Sequence, residues 1–102
     1  MAGRIINKGI RCYIRVRGNG LMAGEQYTAC LYASPKKEDF RATVLAIAEE
    51  INGEIICAFN FTPEQTAQLK VGNVIFEVFD SNYRQMKYDE QFATVRATSI
   101  SA

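Results

Sequence analysis

Residues 52–72, NGEIICAFNFTPEQTAQLKVG, are the most informative stretch for the architecture, because they combine a turn, a strand and a capped helical turn. Asn52-Gly53 lies between two apolar segments, which is the strongest short-range signal for a β-hairpin. It predicts that residues 43–51 and 54–61 are paired strands, although the alanines and glutamates of 46–50 would also suit a helix. Alternation along the second strand places four apolar residues on one face: Ile55, Cys57, Phe59 and Phe61.

A short helical turn is predicted after this strand. Thr62 is a suitable N-cap, Pro63 suits the first helical position, and Gln65 can complete a capping box. We expect the turn to span residues 63–70, with Leu69 buried beneath it. Because a helix of this length is unstable alone, we interpret it as a crossover between two sheets.

Residues 10–17 form the clearest predicted strand upstream of this stretch. One face is apolar and consists of Ile10, Cys12, Ile14 and Val16. The other face, here called the basic stripe, consists of Arg11, Tyr13, Arg15 and Arg17. This period of two is typical of a strand with one buried side and cannot lie on one side of a helix.

Turn signals separate several further predicted strands. These are residues 26–33, 40–44 and 74–79, and a terminal hairpin of 84–88 and 92–99 joined by Asp89-Glu90. Short strands at this spacing predict an all-β antiparallel sandwich or barrel. We expect a sandwich over residues 10–102, preceded by a basic arm at residues 1–9. Its predicted core includes Ile14, Val16, Leu31, Phe59, Phe61, Leu69, Phe76 and Val78.

Length and composition limit the class of protein. A chain of 102 residues fits one domain, and an apolar share of 48% is too high for a disordered protein. No apolar run approaches the roughly 20 residues of a membrane-spanning helix, and no signal-peptide pattern follows Met1. We therefore expect a protein that is made in the cytosol and does not contact membranes.

Catalytic, metal and cofactor chemistry is not expected from these residues. The sequence contains no histidine, the commonest general base and metal ligand, and its seven glycines form no phosphate-binding run. Cys12, Cys30 and Cys57 are odd in number and widely spaced, so we expect reduced, unpaired thiols. We predict no enzyme activity, no cofactor and no small-molecule substrate.

The basic stripe allows three interpretations. Its arginines and Tyr13 could bind phosphates and bases of a nucleic acid, pair with carboxylates of a neighbouring subunit, or form a solvated outer face. The sequence pI of about 7.7 argues against a nucleic-acid reader. The candidate subunit contacts are Arg4, Lys8, Arg11, Tyr13, Arg15 and Arg17.

Charge is divided unevenly along the chain. Residues 1–37 carry seven basic side chains and one acidic one, a net charge of +6, whereas residues 38–102 carry five basic and ten acidic ones, a net charge of −5. Such a chain can dock on copies of itself or lay its basic part against an acidic partner. Self-association is therefore one of the predicted interactions.

Residues 59–72, FNFTPEQTAQLKVG, and the strand that follows them resemble a pattern found in immunoglobulin-like virion modules of tailed bacteriophages. In those sandwiches a strand ends in a Thr-Pro-Glu-type turn with a buried leucine, and a glycine and a further strand follow. The last strand, with FATVR at 92–96, is also similar to the terminal strands of these modules. The resemblance covers residues 54–99.

The resemblance implies an immunoglobulin-like β-sandwich with structural work in a virion. Small size and the absence of an appended domain make an auxiliary, or decoration, capsid protein of crAss-like phages the best match. The implied partners are other virion proteins, the major capsid protein above all. The alternatives are a neck, tail or baseplate ring subunit, a non-viral adaptor, or an oligonucleotide-binding barrel.

Overall fold

Residues 4–18, 20–33 and 41–97 are described by a computed structural model. They contain eight strands and one helix: β1 (Ile5–Asn7), β2 (Cys12–Arg17), β3 (Gln26–Ala33), β4 (Ala42–Ile47), β5 (Glu49–Ile51), β6 (Glu54–Phe61), α1 (Pro63–Ala67), β7 (Gly72–Phe79) and β8 (Gln85–Arg96). Sheet A has the order β1-β8-β7-β3-β4, and sheet B has the order β2-β6-β5. The predicted all-β sandwich is confirmed. Sheet A is mixed rather than antiparallel throughout, since β1 and β8 run parallel.

Aromatic side chains fill the space between the two sheets. The ring of Phe59 on β6 meets that of Phe76 on β7 edge to face, with centroids 6.3 Å apart. Phe76 also stacks on Phe92, at 4.7 Å. All eight residues predicted for the core are buried. Seven of them lie on strands, whose period of two the sequence shows, and Leu69 lies beneath the capped turn.

The predicted strand 43–51 is wrong as one element, because the chain changes sheet within it. Residues before Ala48 form β4, which pairs with β3, whereas residues after it form β5, which pairs with β6. Ala48 is buried, and its amide donates to the Glu25 carbonyl at 3.0 Å. The predicted Asn52-Gly53 hairpin is present between β5 and β6, with positive φ at both residues.

The predicted terminal hairpin is also wrong, because β8 is one strand along the whole of β7. Its register moves from Ala93 opposite Val74 to Asp89 opposite Phe76, so β8 advances four residues while β7 advances two. The Asp89-Glu90 signal therefore marks an irregularity, where Asp89 Oδ1 accepts from the Gln91 amide. The end of the predicted strand, 98–99, lies outside the described residues.

The N-terminal segment is partly incorporated into the sandwich. Within the predicted arm at 1–9, residues Ile5–Asn7 form β1, which pairs with Thr94–Arg96 of β8, and Ile6 is buried. Residues 1–3 lie outside the description. The strand predicted from residue 10 begins at Cys12, and Ile10 is exposed because the chain turns before it. The strand predicted from 40 begins at Ala42, and Phe40 is not described.

Helix α1 carries the predicted capping box and connects sheet B to sheet A. The Gln65 amide donates to Thr62 Oγ1 at 3.2 Å, and the Thr62 amide donates to Gln65 Oε1 at 2.9 Å. The helix ends at Ala67 rather than at residue 70. Sequence reasoning missed Thr66, which is buried: its hydroxyl donates to the Ile10 carbonyl and accepts from the Gly9 amide. This contact joins the crossover to the start of β2.

The hairpin between β7 and β8 contains an unfavourable backbone conformation. Asp80 Oδ1 accepts from the amides of Asn82 and Arg84, which closes the turn. Tyr83 has φ of 61° and is 87% exposed. A bulky side chain in this left-handed region costs about 1–2 kcal/mol.

We predict that Phe59→Ala lowers the free energy of unfolding by about 3–5 kcal/mol, because it removes the ring that joins the sheets and leaves a cavity. Urea unfolding followed by circular dichroism measures this. Tyr13→Ala, on the exposed side of the adjacent strand, is the control and should change stability by less than about 0.5 kcal/mol. An unchanged denaturation midpoint for Phe59→Ala would show that the inward face of β6 is misassigned.

We predict that Tyr83→Gly raises the free energy of unfolding by about 0.5–1 kcal/mol, because glycine adopts this φ without steric cost. Thr94→Gly, at an exposed position within β8, should instead lower it. Thermal denaturation compares the two variants. A loss of stability in Tyr83→Gly would mean that the tyrosine makes contacts that outweigh the strain.

Candidate subunit-contact surface

The outward side of sheet B carries the basic stripe. Alternation along β2 turns Tyr13, Arg15 and Arg17 outward, and Tyr13 is 63% exposed. Arg11 precedes the strand and reaches the same side, where its Nη1 donates to Asn60 Oδ1 at 3.0 Å. The structure thus brings together the four stripe residues that the sequence predicted.

Arg4 and Lys8 lie outside β2, on either side of β1. The Arg4 guanidinium lies over the Phe92 ring, 4.6 Å from its centroid, a cation–π contact. Arg4 also lines a groove of about 270 Å³ with Arg11 and Tyr13, so it borders one end of the stripe. Lys8 follows β1, and its amide donates to the Arg96 carbonyl. This backbone hydrogen bond ties the residue after β1 to β8.

Strand register extends the surface across the whole of sheet B. The outward residues, here called the sheet B face, are Tyr13, Arg15, Arg17, Glu49, Ile51, Glu54, Ile56, Ala58 and Asn60. Ile56 on the central strand lies opposite Arg17 on one side and Glu49 on the other. A cation, an apolar side chain and a carboxylate therefore form one row across three strands.

An intrachain ion pair lies at this end of the face. Arg17 Nη1 and Glu54 Oε1 are 3.8 Å apart, and both side chains are 58% exposed. At this distance and exposure the pair contributes little to stability, because solvent screens the charges. Because more than half of its side chain is exposed, Arg17 is accessible to a binding partner.

Apolar side chains form the centre of the sheet B face. A depression of about 420 Å³ lies between the arginines and Ile51, and a second one of about 430 Å³ reaches from Ile51 to Leu45 and Ile47 on β4. Both depressions are lined by Ile51, Ile56 and Ala58, so they are continuous. Leu45 and Ile47 are more than half exposed. Isolated exposed apolar residues are ordinary, but a contiguous set is typical of an interaction surface.

Sequence reasoning missed this apolar centre and its acidic side. The predicted strand 43–51 contains Leu45, Ile47 and Glu49. Alternation along one continuous strand would place all three on the same side of one sheet. The change of sheet at Ala48 instead places Glu49 across from the arginines. The alternation of Leu45 and Ile47 with small Ala46 is the signal that could have shown an apolar edge.

The outward side of sheet A carries a buried carboxylate, Glu77, that no sequence pattern singles out. The Tyr32 hydroxyl donates to Glu77 Oε1 at 3.0 Å, and Gln85 Nε2 donates to Oε2 at 2.6 Å. Burial first, and then the hydrogen bond to Glu77, raise the pKa of Tyr32. Because both carboxylate oxygens accept a hydrogen bond, this cluster is satisfied internally and we assign it a structural role.

The three cysteines occupy different environments. Cys57 is buried in the main core, Cys30 is buried on the outward side of sheet A, and Cys12 is half-buried beside the Arg4 groove. Arg41 Nη2 lies 3.5 Å from Cys30 Sγ. Burial raises the pKa of Cys57 to about 11. Burial also raises the pKa of Cys12, against an opposing effect of Arg4.

Comparison with protein-family models, with curated proteins and with solved structures yields no match for this chain. Within residues 4–18, 20–33 and 41–97, no helix is long and apolar enough to cross a bilayer. Among the same residues, no group of three or more cysteine and carboxylate side chains is arranged to hold a metal ion.

We predict that iodoacetamide at pH 8 labels half-buried Cys12 before Cys57, which should react only after unfolding. A raised pKa keeps the thiol protonated, and only the thiolate is nucleophilic. The same shift makes stability depend on pH, because the folded-state pKa of Cys57 lies above the unfolded value of about 8.5. The protonated Cys57 thiol contributes fully to stability below that pH, and this contribution is lost as the pH rises towards 11. Mass spectrometry of native and unfolded samples reads the labelling. A disulfide between any two cysteines would contradict the expected reduced state.

Proposed function

We propose that this chain is a non-catalytic structural subunit, an auxiliary protein of a tailed-bacteriophage capsid that attaches through protein–protein contacts. The sheet B face carries the proposal. It combines an apolar centre with Arg15, Arg17 and Tyr13, and arginine and tyrosine are enriched among the residues that contribute most to protein binding.

The crossover between the sheets supports the virion part of the proposal. The resemblance to phage modules rests on a capped turn with a leucine beneath it, and here Leu69 is fully buried next to α1. The chain then continues into β7 of the opposite sheet. Neighbouring genes for a portal, a major capsid protein and a terminase would add support that is independent of the structure.

The charge order of the face favours a protein partner over a nucleic acid. Glu49 and Glu54 lie on the same side of sheet B as the arginines. A phosphate backbone laid across the strands would meet these carboxylates, and repulsion would offset the attraction of Arg15 and Arg17. A protein surface can instead present charges of both signs in the matching order.

We predict that Arg15→Glu combined with Arg17→Glu leaves the domain folded and prevents its incorporation into particles. Each exposed ion pair contributes only about 0–1 kcal/mol, but many copies on one particle multiply small contributions. Particles purified on a density gradient from cells expressing either protein, followed by quantification of the subunit against the major capsid protein, measure incorporation. Circular dichroism and a thermal melt measure folding.

Arg84→Glu combined with Arg96→Glu is the matched control, since both arginines are exposed and belong to the sheet A side of the molecule. This variant should be incorporated like the wild type. Added salt should weaken attachment, because exposed charges are screened. Absence of the wild-type chain from gradient-purified particles would refute the capsid assignment. Tight, salt-sensitive DNA binding that the Arg15 and Arg17 variant abolishes, with incorporation unaffected, would favour the nucleic-acid alternative.

A further inference from the structure

We infer that the sheet B face pairs with the same face of a second copy of this chain, across a two-fold axis that runs along β6. The inference rests on the proposed function, in that it names the neighbour that the basic stripe contacts. It is carried by the register of three strands, in which Arg17, Ile56 and Glu49 form one row.

A two-fold axis parallel to the central strand places β2 of one copy opposite β5 of the other. Each row of residues across the strands then faces the same row of the second copy. Arg17 of one copy then lies over Glu49 of the second, and Glu49 of the first lies under Arg17 of the second. Ile56 faces its own counterpart at the centre of the same row. The contact is isologous, as in most homodimers, and it forms two identical ion pairs from one patch.

The neighbouring row is also compatible with this arrangement. Ala58, opposite Arg15 in the register, leaves room at the centre for two sheets to approach the usual spacing of about 10 Å. Beyond Ala58 the face continues to exposed Ile47 on β4. The aliphatic stem of Arg15 from the second copy can cover Ile47, since arginine packs its methylene groups on apolar surface.

The order of charges argues for a second copy over another partner. A uniformly acidic surface would be repelled by Glu49 and Glu54, and a uniformly basic one by Arg15 and Arg17. The complementary surface must be basic, apolar and acidic in the reverse order. In the row of Ile56, this chain's own face has that order after the two-fold rotation. Glu54, on the axis strand, meets its own counterpart, and Arg17 of the same chain, 3.8 Å away, offsets that repulsion.

The size of the face determines how strong the pair can be. Three strands span about 15 Å and six residues span about 20 Å, so the face covers about 300 Å² on each copy, which is below the range of stable specific interfaces. We therefore expect a weak dimer, with a dissociation constant between about 10 µM and 1 mM. Copies held side by side on a particle have a high effective concentration, at which such a pair is occupied.

Sedimentation equilibrium of the full chain, up to about 1 mM, tests the pairing. The wild type should dimerise, while Arg17→Glu alone and Glu49→Arg alone should each weaken the dimer at least tenfold, because like charges then meet twice. An equimolar mixture of the two variants should restore association, since both ion pairs of the heterodimer are again complementary. Arg17→Gln and Glu49→Gln, which remove a charge without reversing it, should weaken the dimer by about three- to tenfold.

Arg84→Glu and Glu90→Arg, exposed on the sheet A side, are the controls and should leave the dissociation constant unchanged. A wild type that is monomeric at 1 mM, or a mixture of the two reversed variants that does not associate, would overturn the inference. Incorporation of a monomeric wild type into particles would overturn the pairing and leave the proposed function standing. A dimer that never enters particles would refute the proposed function and retain the pairing.

Discussion

The contact between Phe59 and Phe76 joins the two sheets, and it requires that these sides of β6 and β7 face the core. With the Phe59 ring buried against sheet A, Ala58 and Ile56 on the same strand must point outward. Residues that pair across neighbouring strands point to the same side of the sheet. Arg17 and Glu49 both pair with Ile56, so they also face solvent. One aromatic contact inside the sandwich thus determines the chemistry of its outer surface.

The change of sheet at Ala48 converts that surface into a face with two charged sides. A continuous strand through residues 43–51 would have kept Glu49 in one sheet with Ile47. Instead Ala48 is buried, and its amide donates a hydrogen bond to the loop before β3. The chain bends at this residue, so β4 and β5 each lie beside a different part of β6. Leu45 and Ile47 therefore extend the apolar centre past the short β5. The bend that closes the sandwich at this corner also builds the proposed contact.

The two outward sides of the molecule differ in how their polar groups are satisfied. On sheet A the Glu77 carboxylate accepts hydrogen bonds from Tyr32 and Gln85 and is removed from solvent. On sheet B the charged groups stay exposed around uncovered apolar side chains. A side that meets its hydrogen-bonding needs internally is stable in isolation, whereas the other gains by covering its apolar centre. This contrast is why we assign binding to sheet B.

Local pattern is enough to predict the β class, the eight core residues, the Asn52-Gly53 hairpin, the capping box of Thr62 and Gln65, and the exposure of the basic stripe. Each of these depends on side-chain alternation or turn chemistry within a few residues, so no distant contact is needed to predict it. Other features become visible only in the folded chain: the bend at Ala48, the unbroken β8, the parallel pairing of β1, and the place of Glu49 across β6 from Arg17. Those features depend on which strands become neighbours, and the pairing of strands far apart in the chain is settled by packing of the whole core rather than by local pattern.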